Sequence, residues 1–551
     1  MTPKKESVTD GDMEAKAQGA WARFTREEHF RSLRFGPKPP KPRDKKRKLE
    51  KRDVPAVSIT TPEELEGYVG LFRRAFRYRS TQERALLYLL GLLSDLERKN
   101  GETMEAGIPG ATQQGVWDFL VRSPWSAEAL DRARVEHFLS SCGALGRAMD
   151  VVLDEVSEVK QGKLSVGVAR QYLGCVGKRG NGQVTVTLHG LVDEYDLPLC
   201  GQLYLPEEWA TDAERRKASR VPEELPFQTK LELAHQLLQR VSGWGLAIGR
   251  VYGDPGYGEL KLMRQFDEQG WAYCLGVKST FSVRLPEEPV PPVPAPPPYA
   301  GTGRPRKLPL AQPHLHTAAE IRQALPPHAW RRVNYRFGTD GRTLAREFAA
   351  VRVWPATKAQ QGIDLWLLLE RPLDPSSTDI KQYVITGPAT MTLDELAQLA
   401  HRRPIIERNS YENGKGEVGL AEYQGRSWPG FHHHLAMVWL ALTWLHLHRR
   451  RLPPPDDSTQ PPRNTPPVSV ESPAASQSAR DPDLGLSTGT VSVQMAADAP
   501  APLDLPRQVW ESVQEVRRRL CAWFHAVLHL ELLLAAFRPS IPSLDPCLAG
   551  P

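Results

Sequence analysis

Val151-Val152-Leu153-Asp154-Glu155 constrains this chain more than any other stretch. An apolar run that ends in a carboxylate, followed by the β-rich segment Gly162 to Tyr172, reads as a buried strand delivering an acid to the edge of a sheet. An acid placed there must find a counter-charge or an ion. Two downstream acids stand in comparable contexts. Asp254 follows the strand-like Ile248-Gly249-Arg250-Val251-Tyr252-Gly253 and precedes Pro255-Gly256-Tyr257-Gly258. Glu407 opens a predicted helix in Arg402-Arg403-Pro404-Ile405-Ile406-Glu407-Arg408.

The chain has 551 residues, more than one ordinary domain, and implies two or three folded units with tails. Its formal net charge of +6 permits a nucleic-acid partner. The six cysteines include no CxxC pair, which suggests neither a zinc site nor a disulfide framework and fits reduced thiols in a cytosol. The Lys- and acid-rich N-terminus is no signal peptide, and no run of about 20 apolar residues predicts a membrane span.

Composition divides the chain in order. Residues 1–59 read as a disordered basic arm, either a solvated tail or a non-specific phosphate contact. Residues 60–145 read as a helical domain opened by Thr61-Pro62, with arginines interleaved among Phe72, Phe76, Leu86 and Leu89. That pattern suits either DNA binding or a plain packed bundle. Residues 146–280 alternate strands at 150–154, 164–172, 183–188, 201–205, 246–254 and 272–277 with helices at 228–242 and 258–269. The fold class is therefore α/β, with a mixed sheet flanked by helices. Residues 281–390 hold a Pro-rich loop and a β-rich insertion, whose 349–354 and 365–370 segments predict a hairpin. Residues 391–450 are helical, 451–505 read as a disordered linker, and 506–540 as an amphipathic C-terminal helix.

Phosphoryl transfer on nucleic acid is commonly run by two divalent metals about 4 Å apart. Hard Mg²⁺ prefers carboxylate oxygens and water, so three acids brought together are the donor set to look for. Each candidate has a plainer alternative. Asp154 could merely end its strand, and Asp254 could belong to an ordinary Asp-Pro-Gly turn. Lys415, Arg403 and Arg408 could be solvated helix charges or could grip phosphates. The run His432-His433-His434 cannot easily share one ion, because consecutive helical residues point in different directions. It reads as helix surface in contact with a DNA backbone.

Several motifs in one order resemble the DDE insertion-sequence transposases, and within them insertion-sequence family seven hundred and one. They are residues 151–172, Gln202-Leu203-Tyr204-Leu205-Pro206-Glu207-Glu208-Trp209, residues 254–258, and residues 415–428 from Lys415-Gly416-Glu417 to Arg426-Ser427-Trp428. The helical stretch with Gly91-Leu92-Leu93-Ser94 and Glu97-Arg98-Lys99-Asn100 is also similar to that family's N-terminal region. The resemblance implies a ribonuclease H-like core whose acids, by motif position Asp154, Asp254 and Glu407, are catalytic and bind two Mg²⁺ ions, with Mn²⁺ able to substitute. A related signature, YREK, places a basic residue four before the Glu, where Arg403 stands, and a Lys after it. Lys415 lies eight residues after Glu407, one beyond the expected spacing, which keeps Glu412 open as the third acid. DNA-contact candidates are Arg403, Arg408 and Lys415, then Arg170 and Lys163. The implied partners are double-stranded DNA, both transposon ends and target, and a second copy in a synaptic homodimer. The implied setting is the bacterial cytosol or nucleoid, with no membrane. A nuclease that cuts without joining strands, and an inactive DNA-binding derivative, are the alternatives.

Overall fold

The computed structural model describes residues 62–193, 195–286, 315–337, 343–356, 364–449, 451–452, 509–510 and 512–522. The predicted basic arm, most of the Pro-rich loop and nearly all of the 451–505 linker lie outside them.

Among the described residues one mixed sheet of twelve strands runs through the molecule. Its centre is β1 (Met149–Val159). On one side β1 pairs antiparallel with β3 (Lys178–Val192), whose outer edge carries β4 (Tyr195–Leu203) and, near the other end, β2 (Ala169–Leu173). On the other side β1 pairs parallel with β5 (Ile248–Gly253), and β5 parallel with β6 (Ala272–Gly276). The order β4-β3-β1-β5-β6, antiparallel on one side and parallel on the other, is a ribonuclease H-like core. The predicted β-rich insertion continues this same sheet. The antiparallel strands β12 (Lys381–Thr386), β11 (Leu365–Arg371) and β10 (Thr343–Pro355) extend it from β6, with β7 (Ser282–Arg284) and β9 (Arg331–Phe337) paired to β10 and β8 (His316–Thr317) to β7; the 349–354/365–370 hairpin is present as β10 and β11. Leu365 to Leu369 are buried without alternation, as a strand covered on both faces requires.

The helices that cover the faces begin at recognisable caps. Thr229 and Glu232 form a capping box at α4 (Lys230–Gly243), and Thr392 and Glu395 do the same at α6 (Leu393–Ala400). The helices before the sheet include α1 (Pro62–Leu71), α2 (Arg79–Leu93) and α3 (Ala127–Ser141). α5 (Leu260–Gln269) links β5 to β6. The last long helix, α7 (Trp428–Leu447), is buried on every side and opens on the Ser427 cap with Pro429 in its first turn. The predicted N-terminal helical domain is no free-standing bundle. Leu65, Tyr68, Leu89 and Phe119 share one core with Leu435, Trp439 and Leu442 of α7. The described part of the C-terminal helix, 513–522, sets Val513, Val516 and Leu520 into that same core.

The strand carrying Asp154 does not end there but continues to Val159 along β3; what ends is the parallel pairing with β5, at Leu153. The His432-His433-His434 run is not helix surface. His432 Nδ1 meets the Trp428 carbonyl at 2.9 Å, His433 bridges the carbonyls of Leu120 and Trp125 at 2.7 and 2.9 Å, and His434 Nδ1 meets the Tyr88 hydroxyl at 2.8 Å. His433 and His434 are buried, and the partly buried His432 has both ring nitrogens taken up by backbone groups, the Trp428 carbonyl and the Leu203 N–H.

Candidate active site

Parallel pairing decides where the first two acids meet. Leu153 is in register with Gly253 on neighbouring strands about 5 Å apart, and Asp154 and Asp254 are the residues that directly follow this last pair. Beyond this pair β5 ends, while β1 continues along β3. The turn beyond β5 is built for close approach. Asp254 Oδ1 accepts from the Gly256 backbone N–H at 2.9 Å, so the plain Asp-Pro-Gly turn is present along with the acid's placement. A Cβ on Gly258 would lie 2.1 Å from the Gly276 carbonyl oxygen, so only glycine fits there.

The third acid is brought in by Arg403. Its Nη1 donates to Asp154 Oδ2 at 2.5 Å and its Nη2 to Glu407 Oε1 at 2.9 Å. One guanidinium thus joins the buried Asp154 to the half-exposed Glu407. Burial raises the Asp154 carboxyl from 3.8 to about 7; Arg403 and the Glu155 N–H oppose the rise, and Asp254 and Glu407 add to it. The three predicted acids therefore feel one another electrostatically. Burial alone would lower Arg403, but the same three acids raise it above its ordinary value and keep it charged.

The segment holding Glu407 is pinned along its length. Arg402 Nη1 binds Asp150 Oδ2 at 2.7 Å, Tyr411 shares a 2.5 Å hydrogen bond with Thr187, Ser410 donates to Asp196, and Lys415 Nζ donates to the Ser157 carbonyl at 3.3 Å. Lys415 thus reaches β1 three residues beyond Asp154. Glu412 is exposed and, among the described residues, is not tied to Asp154, Asp254 or Arg403, and the side chain of Arg408 lies outside the described residues. Arg170 and Lys163 are exposed and are not brought to the acids: Arg170 pairs with Asn181, past the Val159 end of β1.

Sequence reasoning missed Asp150, Arg402, Asp196 and Glu155. Glu155 binds Lys230 Nζ at 2.5 Å, and burial raises its carboxyl while Lys230 opposes the rise. The only available signal was the density of acids within 150–158, too many for one strand to bury without partners.

Among the described residues, no three His, Cys, Asp or Glu side chains are set out to hold a metal ion. The positive charge between Asp154 and Glu407 is supplied by Arg403. The donor chemistry, carboxylate oxygens on adjacent strands beside a third acid, is nonetheless the kind a hard divalent cation takes.

The family described as DDE superfamily endonuclease matches residues 71–342, which include Asp154 and Asp254 and stop short of Glu407. The chain is 30% identical over 204 residues to a probable transposase for insertion sequence element IS701 from Microchaete diplosiphon, covering 36% of this chain and 50% of the relative. It therefore spans about half the length of that curated relative. A solved piggyBac transposase synaptic complex with hairpin DNA is 11% identical and covers 70% of this chain and 66% of its own, at a TM-score of 0.34. That likeness is too distant to bear on the assignment, and the strand order carries the fold. By sequence, then, the chain is similar to the DDE superfamily endonucleases over residues 71–342 and to a probable insertion-sequence transposase over 204 residues.

Proposed function

We propose that this protein is a DNA transposase that binds the terminal inverted repeats of an insertion sequence, cuts there and transfers the strands to a target. The observation that carries the reading is the placement of Asp154 and Asp254 at one level of adjacent parallel strands, with Glu407 tied to Asp154 through Arg403. Asp154, Asp254 and Glu407 would hold Mg²⁺, two ions in the family's manner, with Mn²⁺ able to substitute. Such ions supply Lewis-acid stabilisation to the attacking and leaving oxygens of an in-line displacement. Arg403 has a second task in this reading. Once the acids have another counter-charge, its guanidinium is free to take a phosphate beside the cleaved bond, which its planar fork suits. Lys415, held against β1 three residues past Asp154, gives a second phosphate contact, and Arg408 a third. Residues 60–145 help bind the ends, two protomers pair them, and the setting is the bacterial cytosol or nucleoid.

Asp154→Asn and Asp254→Asn are each expected to abolish end cleavage and to leave binding of end-containing duplexes within a few-fold of the parent. A variant that cuts at the parental rate would overturn the assignment. Strand transfer from pre-cut ends separates a transposase from a nuclease that only cuts.

A further inference from the structure

Between Glu158 and Asp193 the chain has no acidic residue but carries five cations, Lys160, Lys163, Arg170, Lys178 and Arg179. Among the described residues only Lys160 is ion-paired, with Glu158. Arg170, Lys178 and Arg179 lie on the hairpin formed by β2 and the first residues of β3. Its register sets Arg170 opposite Asn181 and Tyr172 opposite Arg179. Side chains alternate along a strand and paired residues share a face, so Arg170, Tyr172, Arg179 and Asn181 stand on one side. The other side carries Ala169 and Leu173, both buried. The outer face is thus basic with an aromatic in its middle, and Tyr172 is 58% exposed.

We propose that this face of the β2–β3 hairpin is an arm that grips the backbone of double-stranded DNA away from the acids. The proposal rests on the reading of the protein as a DNA transposase. Charge decides the occupant. Among the described residues β2 pairs only with β3, and such an edge could in principle accept a strand from a second copy. A second copy would bring a second set of unpaired cations against the first, with no acid on either hairpin to offset them, whereas a polyanion is attracted by all of them. Reach decides the register. Arg179 lies eight strand residues beyond the level of Asp154, counted through the Val159–Gly182 pair, which is on the order of 26 Å. Along a duplex rising about 3.4 Å per base pair, the arm meets the backbone about eight base pairs from the bond being cut.

The test uses the full chain and duplex DNA of about 30 base pairs, with affinity measured over a series of salt concentrations. In Arg170→Ser/Arg179→Ser the slope of log K against log salt is expected to fall by about two, since each phosphate contact contributes about 0.9. Arg170→Lys/Arg179→Lys keeps the parental slope, and Tyr172→Ala weakens binding with the slope kept. An unchanged slope in the double serine variant, with parental circular dichroism, overturns the arm while leaving the transposase reading intact. So does a double serine variant that changes the oligomeric state and not the slope, or one that loses only RNA binding. A parent chain that binds no duplex overturns both.

Discussion

Arg403 holds two carboxylates on one guanidinium, and the charge of the whole site turns on it. Removing it leaves Asp154 buried without its counter-ion, while Asp254 and Glu407 still press on it. Asp154 is raised in the folded state from 3.8 to about 7, so its ionised form is disfavoured by folding and stability is lost as pH rises through that window. Without Arg403 the ionised form is worse still, and the penalty grows with pH. We expect Arg403→Gln, measured by thermal unfolding without added metal, to cost on the order of 1–3 kcal/mol at about pH 9. At about pH 5, where Asp154 is protonated in both proteins, it costs little. Adding Asp154→Asn should recover most of the loss at high pH. Equal losses at both pH values would show that Arg403 acts by packing and not by charge. The spacing of Arg403 and Glu407 was legible in the sequence because both lie on one local turn. The Arg402–Asp150 pair was not, because its partners stand 252 positions apart and only the folded sheet brings them together.

α7 shows how the same difficulty acts on an element. Three adjacent histidines look like surface, since polar residues on a helix normally face water. Here the helix crosses the interior and each ring meets backbone or hydroxyl groups that would otherwise stand unpaired. His432 is the clearest case. Its Nδ1 faces the Trp428 carbonyl and its Nε2 faces the Leu203 N–H at 3.3 Å, so the ring serves the outer edge of β4 as a neutral tautomer. Burial lowers His432 from 6.5 to about 4, with the Trp428 carbonyl pulling the other way. A folded value below the ordinary one means stability that is whole above about pH 6.5 and lost as pH falls toward 4. A shift of that size amounts to on the order of 3 kcal/mol when fully expressed. His432→Gln can still donate to one group and accept from the other, but it does not titrate. Its melting temperature is therefore expected to fall less than the parent's between about pH 6.5 and 4.5, and an unaltered acid limb would refute the role. The strands were more legible than this helix. β5, β6, β10 and β11 follow from apolar runs bounded by turns, whereas the end of β1 was misplaced because its buried acids interrupt the run that marks a strand.

Across the whole molecule, the helices before the sheet and the sheet itself are joined through α7, an arrangement that composition alone divided into separate domains. Trp439 stands at the junction. It packs where Gly201 of β4 leaves no room for a Cβ, faces the His189 ring of β3, and lies 6.0 Å from the Arg134 guanidinium of α3. Arg134 is fully buried and in turn binds Thr443 of α7, Asp131 of α3 and the Leu199 carbonyl of β4, each at 3.0 Å. Glycine at 201 is what lets the indole sit that close, so the two positions act as one packing unit. Such a junction makes the two regions fold together. A Trp439→Ala cavity should cost about 3–5 kcal/mol, because the indole is 2% exposed and its neighbours belong to three different elements that cannot all collapse into the space. Far-UV dichroism, weighted to the helices, and tryptophan fluorescence should report one coincident transition in the parent and one coincident, lower transition in the variant. If the helical signal moved and the fluorescence transition stayed in place, the N-terminal helices would be an independent unit and α7 would belong to only one of the two regions.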